Sequence, residues 1–375
     1  MAAPLEGVRV LELARVLAGP WAGQVLADLG AEVIKVESPD GDDTRAWGPP
    51  FIEQDGDRSA AYFHSTNRGK RSVVIDFRTE EGRAEVRRLA AGADVLIENF
   101  KVGGLEKYGL DYDSLSALNP ALVYCSITGF GQDGPYRDRP GYDFLIQGMA
   151  GWMDLTGTPE GEPQKVGVAF ADIFTGLYAV IGIQAALAMR ARTGRGQQVD
   201  MALLDCAVGV LANQGMNYLA TGRAPRRLGN SHPNIAPYEV LPTGDGDMVL
   251  TVGNDGQFRR LCGAIGREDL LVANYATNEA RVANRITLRA ELILAFANWS
   301  RDDLLAALEA ANVPAAPINS VDQVFDDPQV LHRGMRVDAD GVPGVRLPVR
   351  FSEADVAPGR AAPALGGGRA EWSDR

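Results

Sequence analysis

Short apolar runs alternate with segments of helical spacing over the first third of the chain. Apolar residues recur at helical spacing in segments 21–29 and 80–90. Runs of three to six residues that predict β-strands lie at 8–13, 33–36, 72–75, 95–97 and 122–127. Strands that alternate with helices favour a parallel sheet covered by helices. The pattern therefore predicts an α/β fold with a Rossmann-like large domain.

A long apolar segment follows at residues 166–189; Asp172 interrupts it, and Gln184 lies in its second half. The part without charged residues after Asp172, residues 173–189, has 17 residues, which is the lower limit for a membrane span. We therefore expect a buried helix of a globular core and no membrane insertion. Glycines at 194 and 196 should end this helix, and a strand at 198–201 and a helix at 203–219 should follow.

The composition changes after residue 221. Residues 222–246 are rich in Gly, Pro, Asn and Arg, which is typical of a linker or a binding loop. A strand at 248–252 and helices at 257–264, 288–299 and 302–311 predict a second, smaller α/β domain. We expect a large domain at 1–221, the linker and small domain at 222–320, and a segment at 321–375 that returns to the large domain. The tail after Ala357 is rich in Gly, Ala and Pro and should be extended or loosely packed.

Charge and cysteine usage narrow the function classes. Lys and Arg number 37 against 49 Asp and Glu, so the formal net charge of −12 argues against a nucleic-acid partner. The three cysteines and three histidines are scattered, which predicts neither a disulfide scaffold nor a metal site. Without an apolar signal core at the start of the sequence, a cytoplasmic protein is expected.

Residues 129–134 form a GxGxxG pattern after a predicted strand. Pro135 follows at once, so no helix can begin there to direct its N-terminus at a pyrophosphate. The pattern therefore predicts a flexible glycine loop near a site and not a dinucleotide fingerprint.

Asp172 allows two interpretations, which do not exclude each other. Aspartate is a preferred N-cap residue, and a long helix is expected to begin here. Alternatively, apolar neighbours on both sides place this carboxylate in a low-dielectric pocket, where it could attack an activated acyl group.

A set of sequence blocks occurs in order at 8–20, 29–37, 98–100, 126–135, 140–143, 171–172 and 193–197. Taken together, these blocks resemble class III CoA-transferases of the formyl-CoA transferase and carnitine CoA-transferase type. The likeness extends from about residue 4 to about residue 366. The blocks at 44–50, 229–233 and 327–331 look closest to the succinate–hydroxymethylglutarate type, which handles dicarboxylic acyl groups.

The resemblance implies that Asp172 is the nucleophile of a CoA-transferase. Its carboxylate would attack an acyl-CoA such as succinyl-CoA, and an aspartyl anhydride and an aspartyl-CoA thioester would follow. A carboxylic acid would then accept the CoA. The family needs no metal, no ATP and no permanently bound cofactor, because coenzyme A enters as acyl-CoA substrate. Its members form interlocked, ring-like homodimers, so we expect a homodimer here.

Other positions match family residues of the CoA site. Those matching the lining of the site are Ala18, Asn99 and Phe100. Those matching the adenosine end are Ile75, Asp76, Phe77 and Arg78, and of these Arg78 could meet a phosphate. Lys107 stands where relatives often carry a basic residue for the CoA phosphates.

The substrate side is matched less completely. Tyr142 corresponds to a tyrosine beside the nucleophile, and Arg15, Arg137 or Arg139 could hold a second carboxylate. Leu17 replaces a glutamine of formyl-CoA transferases and Ser38 replaces an arginine, which argues against a formyl or oxalyl substrate.

Two alternatives remain open at this stage. An α-methylacyl-CoA racemase shares the fold, but its histidine would occupy the Tyr142 position, and an ordinary tyrosine titrates near 10. A non-catalytic acyl-CoA binder is the second alternative, and the presence of Asp172 argues against it.

Overall fold

The computed structural model describes residues 2–54, 56–356 and 359–374. The chain forms two compact units. The first comprises Met1–Trp152, Lys165–Arg223 and Pro328–Arg375, and the second comprises Met153–Gln164 and Ala224–Asp327. The domain boundaries expected from the sequence remain a prediction.

Strands are numbered in chain order. They are β1 (Arg9–Glu12), β2 (Glu32–Glu37), β3 (Phe51–Gln54), β4 (Asp57–Ala60), β5 (Arg71–Val74), β6 (Val95–Glu98), β7 (Val123–Thr128), β8 (Gln198–Ala202), β9 (Tyr238–Pro242), β10 (Asp247–Thr251), β11 (Ala315–Pro317), β12 (Arg336–Ala339) and β13 (Val342–Val345).

Helices are numbered in the same way. They are α1 (Ala18–Asp28), α2 (Ala61–His64), α3 (Glu80–Ala91), α4 (Tyr112–Leu118), α5 (Asp143–Met149), α6 (Trp152–Leu155), α7 (Phe170–Thr193), α8 (Leu203–Gly209), α9 (Ala212–Thr221), α10 (Asp255–Ala264), α11 (Asn278–Ala283), α12 (Arg285–Phe296), α13 (Arg301–Ala310), α14 (Val321–Asp326) and α15 (Pro328–His332). Short 3₁₀ turns lie at Asp43–Ala46, Glu106–Tyr108, Glu268–Leu270 and Ala273–Tyr275.

A six-stranded parallel sheet forms the centre of the first unit, in the order β5-β2-β1-β6-β7-β8. The chain builds outward from β1 to β5 on one side and then from β6 to β8 on the other. The direction of winding therefore reverses between β1 and β6. In sheets of this kind, ligands bind outside the carboxyl ends of the strands at such a reversal. The expected α/β fold with a parallel central sheet is confirmed.

Helices cover both faces of this sheet, which explains the uninterrupted apolar runs of its strands. Neighbouring residues of one strand point to opposite faces, so Val10 joins one hydrophobic cluster and Leu11 the other. Residues of α1 and α7 complete the first cluster, and residues of α3 and α4 complete the second.

Helix α7 is the apolar segment that the sequence marks as a possible membrane span. Its mean hydropathy of 1.6 and its 24 residues would allow it to cross a membrane by length and composition. One side of the helix nevertheless packs into the core, where Ala171, Ala179 and Ile183 are fully buried. The other side leaves apolar residues such as Tyr178 and Ile181 exposed. Within the most apolar stretch of the helix, 39% is buried.

One expectation from the sequence is wrong. The single helix expected at 203–219 is two helices, α8 and α9, because the chain leaves helical geometry at Ala212, whose φ is +46°. A positive φ is rare for a residue with a side chain and interrupts a right-handed helix.

The tail is extended but not loosely packed. Ala357 lies outside the described residues, whereas residues 359–374 run without helix or strand along the edge of the sheet. The backbone N–H of Gly368 donates to the carbonyl of Ser72 at 2.8 Å, and the Trp372 indole donates to the carbonyl of Leu89 at 2.9 Å. The tail therefore covers the free edge of β5.

The second unit has its own core. Strands β11, β10 and β9 form an antiparallel sheet, and apolar residues of α10, α12 and α13 pack with it into one cluster. Strand β10 and the three helices coincide within a few residues with the strand and helices predicted from the sequence. Strands β9 and β11 were not predicted. The hairpins β3–β4 and β12–β13, both in the first unit, were not predicted.

Candidate active site

The turn after β1 is held by a side chain from the end of β6. The Asn99 amide accepts a hydrogen bond from the Arg15 backbone N–H at 2.9 Å and donates to the Arg15 carbonyl at 2.6 Å. Arg15 follows β1 and Asn99 follows β6, so this clamp lies where the winding of the sheet reverses. The structure thus joins two residues that the sequence proposed for one site.

The same turn contains a strained residue, Val16, with a φ of +72°. Both carboxylate oxygens of the buried Asp42 lie 3.3 Å from the Val16 backbone nitrogen. Asp42 in turn lies 2.9 Å from the Lys35 ammonium, which also donates to the Ala14 carbonyl at 2.8 Å. These contacts fix the backbone just before α1, and strain of this kind persists only where the surroundings impose it.

Aromatic rings bring the remaining CoA candidates to the same edge of the sheet. Phe77 contacts Phe100 edge-to-face at a centroid distance of 5.7 Å and Tyr108 at 5.3 Å. The Lys107 ammonium lies 4.9 Å from the Tyr108 ring, and the Arg15 guanidinium lies 5.7 Å from the Phe100 ring. The segments at 75–78, 99–100 and 107 are therefore neighbours, as a shared binding surface requires.

Arg78 is already paired in this structure. Its guanidinium contacts the Asp76 carboxylate through two hydrogen bonds of 2.8 and 2.9 Å, and the Asp76 pKa falls because of this partner. A ligand phosphate would have to compete with Asp76 for this side chain.

Asp172 lies in the first turn of α7 but does not cap the helix. The N-cap position is occupied by Ala169, so the N-cap interpretation of Asp172 is wrong. Asp143 takes over that role, because its carboxylate accepts the Ala171 backbone N–H at 2.9 Å. Asp143 also accepts from the Gln147 side chain at 2.7 Å, which leaves the Asp172 carboxylate available for other chemistry.

Burial raises the pKa of Asp172 to about 7, and the nearby negative charge of Asp143 adds to the effect. A position in the first turn of a helix stabilises an anion by about 0.3 to 1 kcal/mol, which is less than one pKa unit. The helix therefore offsets only part of the rise. A carboxylate with this pKa is more basic, and hence more nucleophilic, than an exposed aspartate.

Tyr62 is a further polar group of this site. Burial, together with the negative charges of Asp172, Asp143 and Asp42, raises its pKa to about 12. Its phenol consequently stays protonated and can donate a hydrogen bond. The Trp47 ring packs edge-on against it at a centroid distance of 5.3 Å.

Gly129, the first glycine of the GxGxxG pattern, allows two backbone segments to cross. A Cβ on Gly129 would lie 2.6 Å from the Cα of Gly141, and a Cβ on Gly141 would lie 2.3 Å from the Cα of Gly129. Both positions therefore require glycine, and the crossing leads the chain from β7 to Asp143. The next helix, α5, begins only at Asp143, so no helix opens on this motif.

Comparisons with known proteins show the family and the fold. Residues 5–369 match CoA-transferase family III. The chain belongs to CoA-transferase family III. It is 60% identical to the succinate–glutarate CoA-transferase of Agrobacterium fabrum, with 97% of this chain and 93% of that protein covered. It is 41% identical to the succinyl-CoA:mesaconate CoA-transferase of Haloarcula hispanica, with 99% and 96% covered.

A crystal structure of a CAIB/BAIF family protein from Brucella suis has the same fold. Its TM-score is 0.89 at 64% sequence identity, with 98% of this chain and 97% of that chain covered. The chain is thus an enzyme, a CoA-transferase, and CoA thioesters are its substrates.

The predicted substrate residues of this CoA-transferase are less well connected than the CoA candidates. Tyr142 is 64% exposed and precedes α5. Arg137 lies 3.6 Å from Asp138, and Arg139 stacks on the Tyr136 ring at 3.9 Å. These contacts do not single out either arginine as a carboxylate ligand.

Three further substrate and CoA candidates are buried. Leu17 and Ala18 are buried at the start of α1. Ile75 is buried at the carboxyl end of β5, where it joins the second hydrophobic cluster.

Sequence reasoning missed three polar residues of this region, Asp143, Tyr62 and Asp42. Asp143 belonged to a block that carried the resemblance, but no role was assigned to it. Tyr62 gave no signal, because its neighbours in sequence are ordinary for a short buried segment. Asp42 lies in a polar stretch of the sequence, but it is 1% exposed and paired with Lys35.

Proposed function

We propose that this enzyme transfers CoA from succinyl-CoA to a second dicarboxylic acid such as glutarate, with Asp172 as the nucleophile. The 60% identity to a succinate–glutarate CoA-transferase over nearly the whole chain carries this proposal. A second relative in the comparisons carries succinyl-CoA in its name, together with a different dicarboxylic acid, mesaconate. Succinate, free or as its CoA ester, is common to both names, so we assign succinyl-CoA as the donor.

The Asp172 carboxylate would attack the thioester carbonyl of succinyl-CoA. The C–S bond breaks, CoA leaves as the thiolate, and a mixed anhydride of Asp172 and succinate remains. The thiolate then attacks the aspartyl carbonyl of the anhydride and releases succinate, which leaves an aspartyl-CoA thioester. The acceptor carboxylate displaces CoA thiolate from this thioester and forms a second anhydride. The thiolate finally attacks the acceptor carbonyl, which yields the new acyl-CoA and restores the carboxylate.

The neighbours of Asp172 support this role. The apolar surroundings and Asp143 raise the pKa of Asp172 to about 7, so the group is both strongly nucleophilic and substantially ionised at neutral pH. Tyr62 remains protonated and can donate to the oxygen on which negative charge develops. Asp143 holds the start of α7 through the Ala171 N–H and thereby orients the nucleophile.

We propose that CoA binds along the carboxyl ends of β1, β5 and β6. The clamp between Asn99 and Arg15 and the contacts of Phe77 with Phe100 support a single surface there. Residues assigned to this surface are Ala18, Ile75, Asp76, Phe77, Arg78, Asn99, Phe100 and Lys107. Residues assigned to the acyl and acceptor groups are Arg15, Leu17 and Tyr142.

We further propose a Rossmann-like large domain and an interlocked homodimer in the cytoplasm. The strand order β5-β2-β1-β6-β7-β8 supports the first. Exposed apolar side chains on α5 and α7, among them Phe144, Leu145 and Ile181, support a partner subunit. Sedimentation of the enzyme as a stable folded monomer would contradict the dimer.

Trapping tests the assignment of Asp172. The enzyme is incubated with succinyl-CoA, hydroxylamine is added, and peptide mass spectrometry locates any hydroxamate. We expect modification at Asp172 and none at Asp143. The matched variants Asp172→Asn and Asp143→Asn should abolish and retain the modification, respectively.

Two results would overturn the proposal. One is normal turnover of succinyl-CoA with glutarate by Asp172→Asn. The other is epimerisation of a 2-methylacyl-CoA in the absence of any acceptor acid, which would indicate a racemase.

A further inference from the structure

A cavity of about 560 Å³ lies in the first unit, away from the residues assigned to acyl transfer. The hairpin β3–β4, helix α2, the start of β5 and the tail at 360–369 line it. Neither Asp172 nor any residue assigned to CoA is part of its wall. Cavities of this size hold small-molecule ligands in many proteins.

The wall of this cavity is basic, although the chain as a whole carries a net charge of −12. The four cations and two carboxylates that line it are Lys70, Arg71, Arg360, Arg369, Asp57 and Asp340. On an acidic protein, a local excess of positive charge selects anions that the rest of the surface repels.

Four of these charges are already satisfied. Lys70 pairs with Glu12 at 2.9 Å, and Arg71 pairs with Glu32. Asp57 lies 3.3 Å from the Arg45 guanidinium.

Asp340, the fourth of these groups, accepts the backbone N–H of Ala361 at 3.2 Å. Over the described residues, the guanidinium groups of Arg360 and Arg369 form no ion pair. Two arginines with free donors therefore flank the cavity, and guanidinium groups match the geometry of phosphate and carboxylate oxygens.

His64 also lies in the wall of this cavity and can report on it. Its Nε2 lies 2.9 Å from the Ser59 hydroxyl, which itself lies 3.5 Å from the Asp57 carboxylate. An imidazole in the wall responds to an anion bound beside it, because a nearby negative charge favours the imidazolium.

From these contacts we propose that the cavity binds a small oxyanion, a phosphate or a carboxylate, through Arg360 and Arg369. The two arginines supply the charge, and His64 lies in the same wall. Burial and the charge of Arg45 lower the pKa of His64, so it is largely neutral at pH 7. A bound anion should stabilise the imidazolium and raise this pKa.

The test follows the imidazole signals of His64 by NMR in the full-length enzyme labelled with ¹⁵N-histidine. The chain has three histidines, so the signals can be assigned by substituting each one. The pH titration is repeated with inorganic phosphate, with succinate, and with KCl at matched ionic strength. We expect phosphate, succinate or both to raise the His64 pKa by about one unit, as a nearby opposite charge does, while KCl and the His332 signal show no such rise.

Charge-removing variants locate the anion. Arg360→Gln with Arg369→Gln should abolish the rise, and the matched pair Arg192→Gln with Arg195→Gln at the end of α7 should keep it. If the double variant does not fold, Arg369→Gln alone should weaken binding severalfold. No rise with either anion, or a full rise in the Arg360/Arg369 variant, would overturn the proposal.

Discussion

The turn after β1 and the first turn of α7 differ in whether their charged side chains have partners of opposite charge. Around the turn, charged side chains have close partners of opposite charge: Lys35 contacts Glu12 at 3.1 Å and Asp42 at 2.9 Å, and Arg15 contacts Asp43 at 3.2 Å. In the first turn of α7, the Asp172 carboxylate lies beside a second carboxylate and among apolar groups, and its pKa rises to about 7.

This difference in charge pairing fits two different roles, ligand binding at the turn after β1 and covalent reaction at the start of α7. A fully paired network fixes the backbone to which CoA is proposed to bind, so little ordering is left for the moment of binding. A carboxylate without a cation, in contrast, is unstable in the folded enzyme and gains by forming a covalent bond. Stability is lost at this one position so that reactivity is kept there.

Replacing the unpaired carboxylate should have the largest effect. We expect Asp172→Asn to lower kcat with succinyl-CoA and glutarate about ten-thousandfold or more, because an amide cannot form the anhydride. Steady-state assay of the new acyl-CoA measures this loss.

Stability measurements then show that the loss is not caused by misfolding. The Asp172 pKa is near 7 in the folded enzyme and near 3.8 when unfolded, so the native state loses stability as pH rises through that window. Asp172→Asn should therefore melt at a higher temperature than the native enzyme at pH 8, and the gain should vanish near pH 4. A variant that melts lower at pH 8 would contradict this account.

Breaking the paired network should affect folding first. Lys35→Met leaves Asp42 without its cation at a fully buried position, which should reduce the free energy of unfolding by about 3 to 5 kcal/mol. Denaturant unfolding measures the change. Arg58→Met is the control, because its ion pair with Glu53 is exposed and contributes about 1 kcal/mol or less. Equal losses in both variants would remove the distinction between the two kinds of pair.

The sequence predicts the sheet well, because its strands are buried on both faces and stand out as apolar runs. It also marks Asp172 as a candidate functional residue, because a carboxylate inside an apolar run is unusual. The resemblance supplied Asn99 and Phe100, which the fold then brings beside Arg15.

The environment of Asp172 could not be predicted, since it depends on contacts distant in sequence. Asp143 meets α7 only after the backbone crossing at Gly129, and Asp42 is buried only because Lys35 on β2 reaches it. The break at Ala212 was missed for a related reason, since alanine is a strong helix former and only its surroundings impose a positive φ.

A smaller effect is expected at the clamp. Asn99→Ala removes two hydrogen bonds to the Arg15 backbone, worth about 1 to 3 kcal/mol together. The KM for succinyl-CoA should rise about tenfold, with a smaller change in kcat, because the clamp positions the proposed CoA surface and not the nucleophile. The control is Asn119→Ala, which also loses two bonds to backbone carbonyls, those of Ala90 and Ala93. A KM increase of the same size in Asn119→Ala would show that general loosening explains the result.

The finest test concerns the second carboxylate at the start of α7. Burial is the larger cause of the raised Asp172 pKa and Asp143 the smaller, so Asp143→Asn should lower that pKa and still leave it above the usual value. The acidic limb of the pH profile of kcat/KM, which rises as Asp172 ionises, should shift toward lower pH. Removing Asp205, a carboxylate assigned to neither site, should leave the limb in place. If the acidic limb stays near pH 7 in Asp143→Asn, the charge of Asp143 does not influence the pKa of the reacting group.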